Sequence, residues 1–303
     1  LFEILDSEIG FTTLIWGKMT NDINGEGPAY FQTGRRTKSM PVEIKDMTFD
    51  KVASGPVSVR VYQGAEYAKG APVLLYFHGG AFRETGLRHC PLAECIAGTG
   101  AIVAVPDYNA SGSAFPEPLE VGFSIFSYLA KKRAGLGDRK SPLLVGGEEA
   151  GGNIAAGVAL KARDHFADEL DGQVLLSPLL DPFMATQSFS KADGIGMRER
   201  WSDGWSHYLS AGVCHPYAAP SLCSRLASLA PALVLSSADD PLLDETLGYA
   251  ARLTEAGVTV RQHVLPAGTG WPGIYGGTLN GAGPWADTLS DQFCGFVHDI
   301  SIH

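Results

Sequence analysis

The 303-residue chain reads as an α/β protein built on a mostly parallel sheet with helices on both faces. Three observations carry that reading. Short apolar runs recur along the chain, each bounded by glycine, proline or charge, as strands buried on both faces are. Helix-length segments separate these runs, and a parallel strand needs such a crossover to return to the sheet. The alternation continues from Val57 to the C-terminus without a shift in composition, so one domain is expected over residues 1–303.

Residues 1–40 lack strand periodicity. Phe2, Ile4, Leu5, Ile9, Phe11, Leu14, Ile15 and Trp16 suggest one or two apolar-faced helices there, followed by a turn-rich stretch at 21–28. Residues 57–62 alternate as a half-buried strand does. The runs at 73–77, 101–105, 143–146, 174–177 and 232–236 predict buried strands, and 258–265 is a further candidate. Helices are expected at 91–98, 119–132, 150–163, 244–256 and 284–300. The longest interruption, 182–220, is rich in large side chains, among them Phe183, Met184, Phe189, Met197, Trp201, Trp205, Tyr208 and Tyr217. It reads as a lid over the carboxyl ends of the strands, where ligands of open α/β sheets bind. The alternative is a peripheral helical insertion with its own small core. Together, residues 1–40 and 182–220 are the expected cap.

Composition narrows the function. A hydrophobic content of 45% supports one large core. A net charge of −10 disfavours nucleic acid, whose phosphates attract basic patches. No apolar run is long enough to span a bilayer. The five cysteines, Cys90, Cys95, Cys214, Cys223 and Cys294, are scattered and form no C-x-x-C pair. A disulfide framework and a metal site are therefore not expected, and a reduced cytoplasmic setting fits. The chain starts at Leu1, which leaves room for a removed leader. No G-x-G-x-x-G follows the first strand and no histidine–carboxylate cluster occurs, so no cofactor and no metal are implied. The expected partner is a small-molecule substrate or ligand. A homodimer is compatible with this reading.

The most informative stretch is Gly147-Glu148-Glu149-Ala150-Gly151-Gly152-Asn153. Its glycines have the spacing of a G-x-S-x-G elbow, which presents its central residue on a tight strand-to-helix turn. The central residue here is Glu149. Three other segments agree in order and spacing. Tyr76-Phe77-His78-Gly79-Gly80-Ala81-Phe82 follows a buried strand and resembles an HGG oxyanion loop. Asp107-Tyr108 with Phe115-Pro116, and Asp240-Pro241-Leu242-Leu243-Asp244-Glu245, complete the set. Trp205, Tyr208, Leu209, His215 and Tyr217 resemble the end of a cap. From residue 40 onward the chain resembles the hormone-sensitive-lipase-like, carboxylesterase-like branch of the α/β-hydrolases. The resemblance implies a sheet of about eight strands with helices on both faces and a helical cap.

Two departures from that family stand out. Its nucleophilic serine maps to Glu149. Its histidine maps near Gly270, within Leu265-Pro-Ala-Gly-Thr-Gly-Trp-Pro-Gly-Ile-Tyr275, and no histidine occurs from Val264 to Phe296. His263 falls inside the last strand, and His298 belongs to the terminal helix. Of the triad only the acid, Asp240, remains, so serine-type ester hydrolysis is not expected. The resemblance implies that the N–H groups of Gly79, Gly80 and Ala150 converge as an oxyanion hole.

Glu149 has three possible roles at such an address. It could act as a general acid or base, its pKa raised by burial and by a nearby Asp240. It could be a covalent nucleophile, or it could be inert. The expectation is a non-hydrolytic enzyme of dehydratase, isomerase or cyclase type, acting on an apolar carbonyl compound of specialised metabolism. Its catalytic groups would be Glu149 and Asp240. The alternatives are an inactive, receptor-like ligand-binding protein and an atypical esterase using Glu149. Candidate substrate-contacting residues are His78, Ala81 and Phe82 in the oxyanion loop, Trp201, Trp205 and Tyr208 in the lid, and Trp271 and Tyr275 where the histidine is missing. His78 is read mainly as a support of its loop. Glu148 is read as a support of the neighbouring backbone.

Overall fold

Eight strands form one sheet: β1 (Val42–Phe49), β2 (Val57–Gly64), β3 (Val73–Phe77), β4 (Ile102–Pro106), β5 (Leu143–Glu148), β6 (Gly172–Pro178), β7 (Ala232–Ser237) and β8 (Val260–Leu265). The computed structural model describes residues 40–52, 55–64, 70–133, 141–166, 168–210, 212, 215–277, 279 and 283–302. The expected N-terminal helices, and the part of the cap assigned to residues 1–39, lie outside the described residues. The strand order is β1-β2-β4-β3-β5-β6-β7-β8. β1 and β2 pair antiparallel, as do β2 and β4, and every later pairing is parallel.

Each parallel return is made through a helix. The helices are α1 (Pro91–Ala97), α2 (Glu117–Arg133), α3 (Glu149–His165), α4 (Arg198–Tyr208), α5 (Leu243–Glu255) and α6 (Pro284–Ser301). Alternate residues of a strand point to opposite faces, and β3 shows the result. Val73, Leu75 and Phe77 join one core with Ile125 of α2, Val158 of α3 and Leu253 of α5. Leu74 and Tyr76 join the other with Ile96 of α1 and Phe293 of α6. No helix among the described residues is long and apolar enough to cross a membrane.

The strand expected at 258–265 begins two residues later, and the other expected strands and helices fall within a few residues of those observed. β1 was not expected. Its burial alternates only weakly, because it is an edge strand with Glu43, Ile44, Asp46 and Thr48 on its exposed positions. The 182–220 segment contains a 3-10 turn at Ser188–Ile195 and then α4. Its aromatic residues Phe189, Trp201, Trp205 and Tyr208 pack into the same core as α2, α3 and α5. Gly204 allows this close seating, since a Cβ there would lie 2.2 Å from the carbonyl oxygen of Ala81.

Candidate active site

The carboxyl ends of β3, β5, β6 and β7 converge on a site formed by three turns. The β5–α3 turn carries Glu149 at φ +52°. That turn is possible because Gly151 has no side chain: a Cβ there would lie 2.0 Å from the carbonyl oxygen of Phe77. The loop after β3 places Ala81 at φ 52° and Phe82 at φ 56°, and Ser177 at the end of β6 has φ 42°. Left-handed conformations are costly for residues with a Cβ and cluster where surrounding structure over-determines them. Here neighbouring segments supply that structure. The Tyr108 hydroxyl donates to the carbonyl of His78 at 2.8 Å, and Asn109 Nδ2 donates to that of Phe82 at 3.0 Å.

The Glu149 carboxylate fills the space in front of the oxyanion loop. Its Oε2 accepts from the N–H of Gly80 and, at 3.0 Å, from that of Ala81; Oε1 accepts from Ala81 at 3.1 Å and from the Trp201 indole N–H. The residue is 2% exposed. Burial raises its pKa, opposed by these donors and by the N–H of Ala150. The expected convergence of Gly79, Gly80 and Ala150 on a vacant oxyanion site needs correction. Gly79 N–H is taken by Glu148 Oε1 at 2.8 Å, Ala81 supplies a donor in its stead, and Glu149 itself accepts the remaining bonds. The cause is the length of the glutamate side chain, which reaches from the turn back onto the loop.

Glu148 is the neighbouring buried acid. Burial pushes its carboxyl up to about 7, against the lowering effect of the Tyr76 hydroxyl and the Gly79 N–H. Among the described residues its Oε2 has no partner of good hydrogen-bond geometry. His78 Nδ1 donates to the carbonyl of Gly79 at 2.6 Å, which fixes the tautomer and leaves Nε2 unprotonated. Burial lowers the His78 pKa.

Asp240, following β7, is completely buried. It accepts from Ser177 Oγ at 2.7 Å, from the Tyr275 hydroxyl at 2.7 and 2.9 Å, and from the N–H of Leu242 at 2.7 Å. Trp271 Nε1 in turn donates to Ser177 Oγ at 2.8 Å. Burial raises Asp240 to about 6, with Ser177, Tyr275 and Leu242 holding it lower. The charge facing Asp240 most strongly is that of Asp239, so the expected repulsion between Asp240 and Glu149 is not what raises either group. Tyr275, whose ring meets Trp201 edge-on at 5.1 Å, feels both carboxylates.

A cavity of about 320 Å³ opens beside Glu149. Of the expected contact residues, His78 and Tyr275 line it, together with Gly79, Gly80 and Glu149. Ala81, Phe82, Trp201, Trp205, Tyr208 and Trp271 do not; they are buried in the core instead. Phe82, for example, stacks on Tyr208 at 4.3 Å with the rings 6° from parallel. Of the two roles open to the lid aromatics, ligand contact or packing, packing takes Trp201, Trp205 and Tyr208. The cavity instead brings in residues not anticipated: the buried Leu92 and Leu279, and the more exposed Glu84, Arg88 and Arg200, which open it to solvent.

A sequence profile of the α/β-hydrolase fold matches residues 74–269, which contain the oxyanion loop, the Glu149 turn and Asp240. The chain belongs to the α/β-hydrolase family. Within it, the chain is 30% identical over 241 residues to carboxylesterase NlhH of Mycobacterium tuberculosis, covering 75% of this chain and 76% of that one. It is 28% identical to the gibberellin receptor GID1C of Arabidopsis thaliana over 65% of this chain and 62% of the receptor. Among solved structures, brefeldin A esterase, a bacterial homologue of human hormone-sensitive lipase, superposes with a TM-score of 0.72 at 25% identity, over 99% of this chain and 84% of that one. This α/β-hydrolase thus falls in the branch that includes carboxylesterases and a hormone receptor.

Proposed function

We propose that this α/β-hydrolase binds a small molecule in the cavity beside Glu149 and does not hydrolyse esters by a serine mechanism. One observation carries the reading: the Glu149 carboxylate occupies the backbone donors of Gly80 and Ala81. An ester carbonyl gains its transition-state stabilisation from such donors. While Glu149 holds them, a substrate oxygen has no access. Glu149 also takes the place of the family's nucleophilic serine, and Tyr275 meets Asp240 where the family's histidine would. Neither a carboxylate saturated by donors nor a phenol held far above its ordinary pKa replaces the missing base. Residues 182–220 serve as the cap over this site, within one domain.

A second reading has its own support. Glu149 touches the cavity, and burial raises its pKa, as a general acid or base requires. In that case the chain is a dehydratase, isomerase or cyclase, and Glu149 must swing off the loop before a carbonyl binds there.

The test is turnover of short activated aryl esters by wild type and Glu149→Gln, with mass spectrometry of carbonyl-containing small molecules before and after incubation. The expected outcome is ester hydrolysis at the buffer background and ligands recovered unchanged. A new product that depends on Glu149 favours the second reading. Ester turnover lost in Glu149→Gln overturns both and makes the chain an atypical esterase.

A further inference from the structure

The mouth of the cavity holds a charged group that the site beside Glu149 does not use. Glu84 receives ion pairs from two arginines, Arg88 four residues along the same loop and Arg200 in α4. The two guanidiniums come from two segments, the loop after β3 and α4, which also pack together in the core through Ala81 and Gly204 and through Phe82 and Tyr208. They converge on one carboxylate, whose stem rests over Gly80: a Cβ on that glycine would lie 2.5 Å from Glu84 Cβ. The node is therefore built into the loop.

Its charges do not balance. Two guanidiniums and one carboxylate leave a net positive charge. Two guanidiniums also present roughly ten N–H donors against about four acceptor positions on a carboxylate. The arginines are partly solvated, with side chains 55% and 38% exposed, whereas Leu92 and Leu279 deeper in are 2% and 9% exposed. The cavity wall thus combines the buried Leu92 and Leu279 with the partly exposed cations Arg88 and Arg200. Glu148 and Glu149 oppose a negative charge at the inner end. An anion is favoured only at the mouth.

We propose that Arg88 and Arg200 form a clamp for the anionic group of an amphipathic organic acid, a carboxylate whose apolar body fills the cavity and whose charge replaces or joins Glu84. This deepens the binding reading above and rests on it. Planar carboxylates suit guanidinium pairs, which bind them through parallel N–H···O bonds. Glu84 then acts as an internal stand-in that keeps the arginines paired when the cavity is empty. Because Arg200 lies on α4 and Arg88 on the oxyanion loop, an anion bound by both also ties these two segments together.

The test is isothermal titration calorimetry with two probes of nearly equal shape, 1-naphthoate and 1-naphthamide, at low and high sodium chloride. Naphthoate should bind the wild-type protein about tenfold more tightly than naphthamide at low salt, as a partly desolvated charge pair allows. The ratio should shrink as salt rises. In Arg200→Gln it should fall close to one, and Arg88→Gln should lower it as well. Glu84→Gln removes the competing carboxylate and should tighten naphthoate several-fold while leaving naphthamide unchanged. Equal binding of the two probes to the wild-type protein would overturn the clamp and leave the binding reading standing. So would a naphthoate preference that survives both arginine substitutions. Absence of binding by either probe would sink both.

Discussion

The two carboxylates beyond β5 and β7 are both buried and both saturated, yet by different kinds of donor. Glu149 is held by the backbone N–H groups of Gly80 and Ala81 and by an indole N–H. Asp240 is held by the hydroxyls of Ser177 and Tyr275 and one backbone N–H. Hydroxyls rotate and accept as well as donate, so they find other partners when one is lost. Ser177 Oγ, for instance, already lies 2.9 Å from Ser236 Oγ. Amide and indole donors have fixed directions and accept nothing. The Asp240 region is therefore adaptable, whereas the Glu149 region requires an acceptor at one place, from the protein or from a ligand.

The strongest way to break that contrast is to remove each carboxylate in turn. Glu149→Ala leaves three fixed donors without an acceptor and should destabilise the fold by about 3 kcal/mol in urea unfolding. Asp240→Ala should cost less, about 2 kcal/mol, because its hydroxyl donors reorient. Equal losses would show that the type of donor does not matter.

The dependence of stability on pH sharpens the same point. Glu148 and Asp240 have folded pKa values raised to about 7 and about 6 from ordinary values of 4.5 and 3.8. Over those windows the folded state binds more protons than the unfolded state, so stability falls as pH rises. Chemical denaturation should show a loss on the order of 3 kcal/mol from each of these groups between pH 4 and pH 7.5, at about 1.4 kcal/mol per pKa unit. Glu148→Gln should remove the upper part of that slope, from about pH 5 to 7. A slope unchanged in this variant would mean that Glu148 titrates normally.

Smaller effects probe single donors. Tyr275→Phe takes one hydroxyl from Asp240 and should cost about 1.5 kcal/mol, with the acid-to-neutral slope steeper because Asp240 is pushed further up. Trp201→Phe removes one donor from Glu149 while keeping most of the ring, and should cost about 1 kcal/mol in thermal or urea unfolding. A larger loss in the second variant than in the first would contradict this order of the two single donors.

Much of this architecture was legible in residue order. The runs at 73–77 and 232–236 are uninterrupted apolar stretches between breakers, and the sheet buries both faces of them. Gly147 and Gly151 marked the turn because their spacing reflects the close approach of α3 to β3. β1 escaped notice because an exposed edge strand need not alternate cleanly. At the site, sequence located Glu149 but not where its carboxylate goes. That depends on side-chain reach across two turns, which spacing does not encode. Trp201, Trp205 and Tyr208 looked like pocket walls, since composition does not distinguish an aromatic residue facing a ligand from one facing a core. Glu84, Arg88 and Arg200 gave no local signal, because their meaning lies in a meeting of two segments far apart in the chain.

The Glu149 node also bears on the order of folding. It joins residues 69 apart on one side, to Gly80, and 52 apart on the other, to Trp201. Contacts that close such long loops form only after the intervening chain has been organised, and here that means β4, α2 and α3 with the sheet. Interactions made this late are largely absent from the transition state for folding. Replacing Trp201 by phenylalanine should accordingly speed unfolding while leaving the refolding rate almost unchanged. The bond between a turn glutamate and a distant indole would then govern how long the native molecule lasts rather than how quickly it forms.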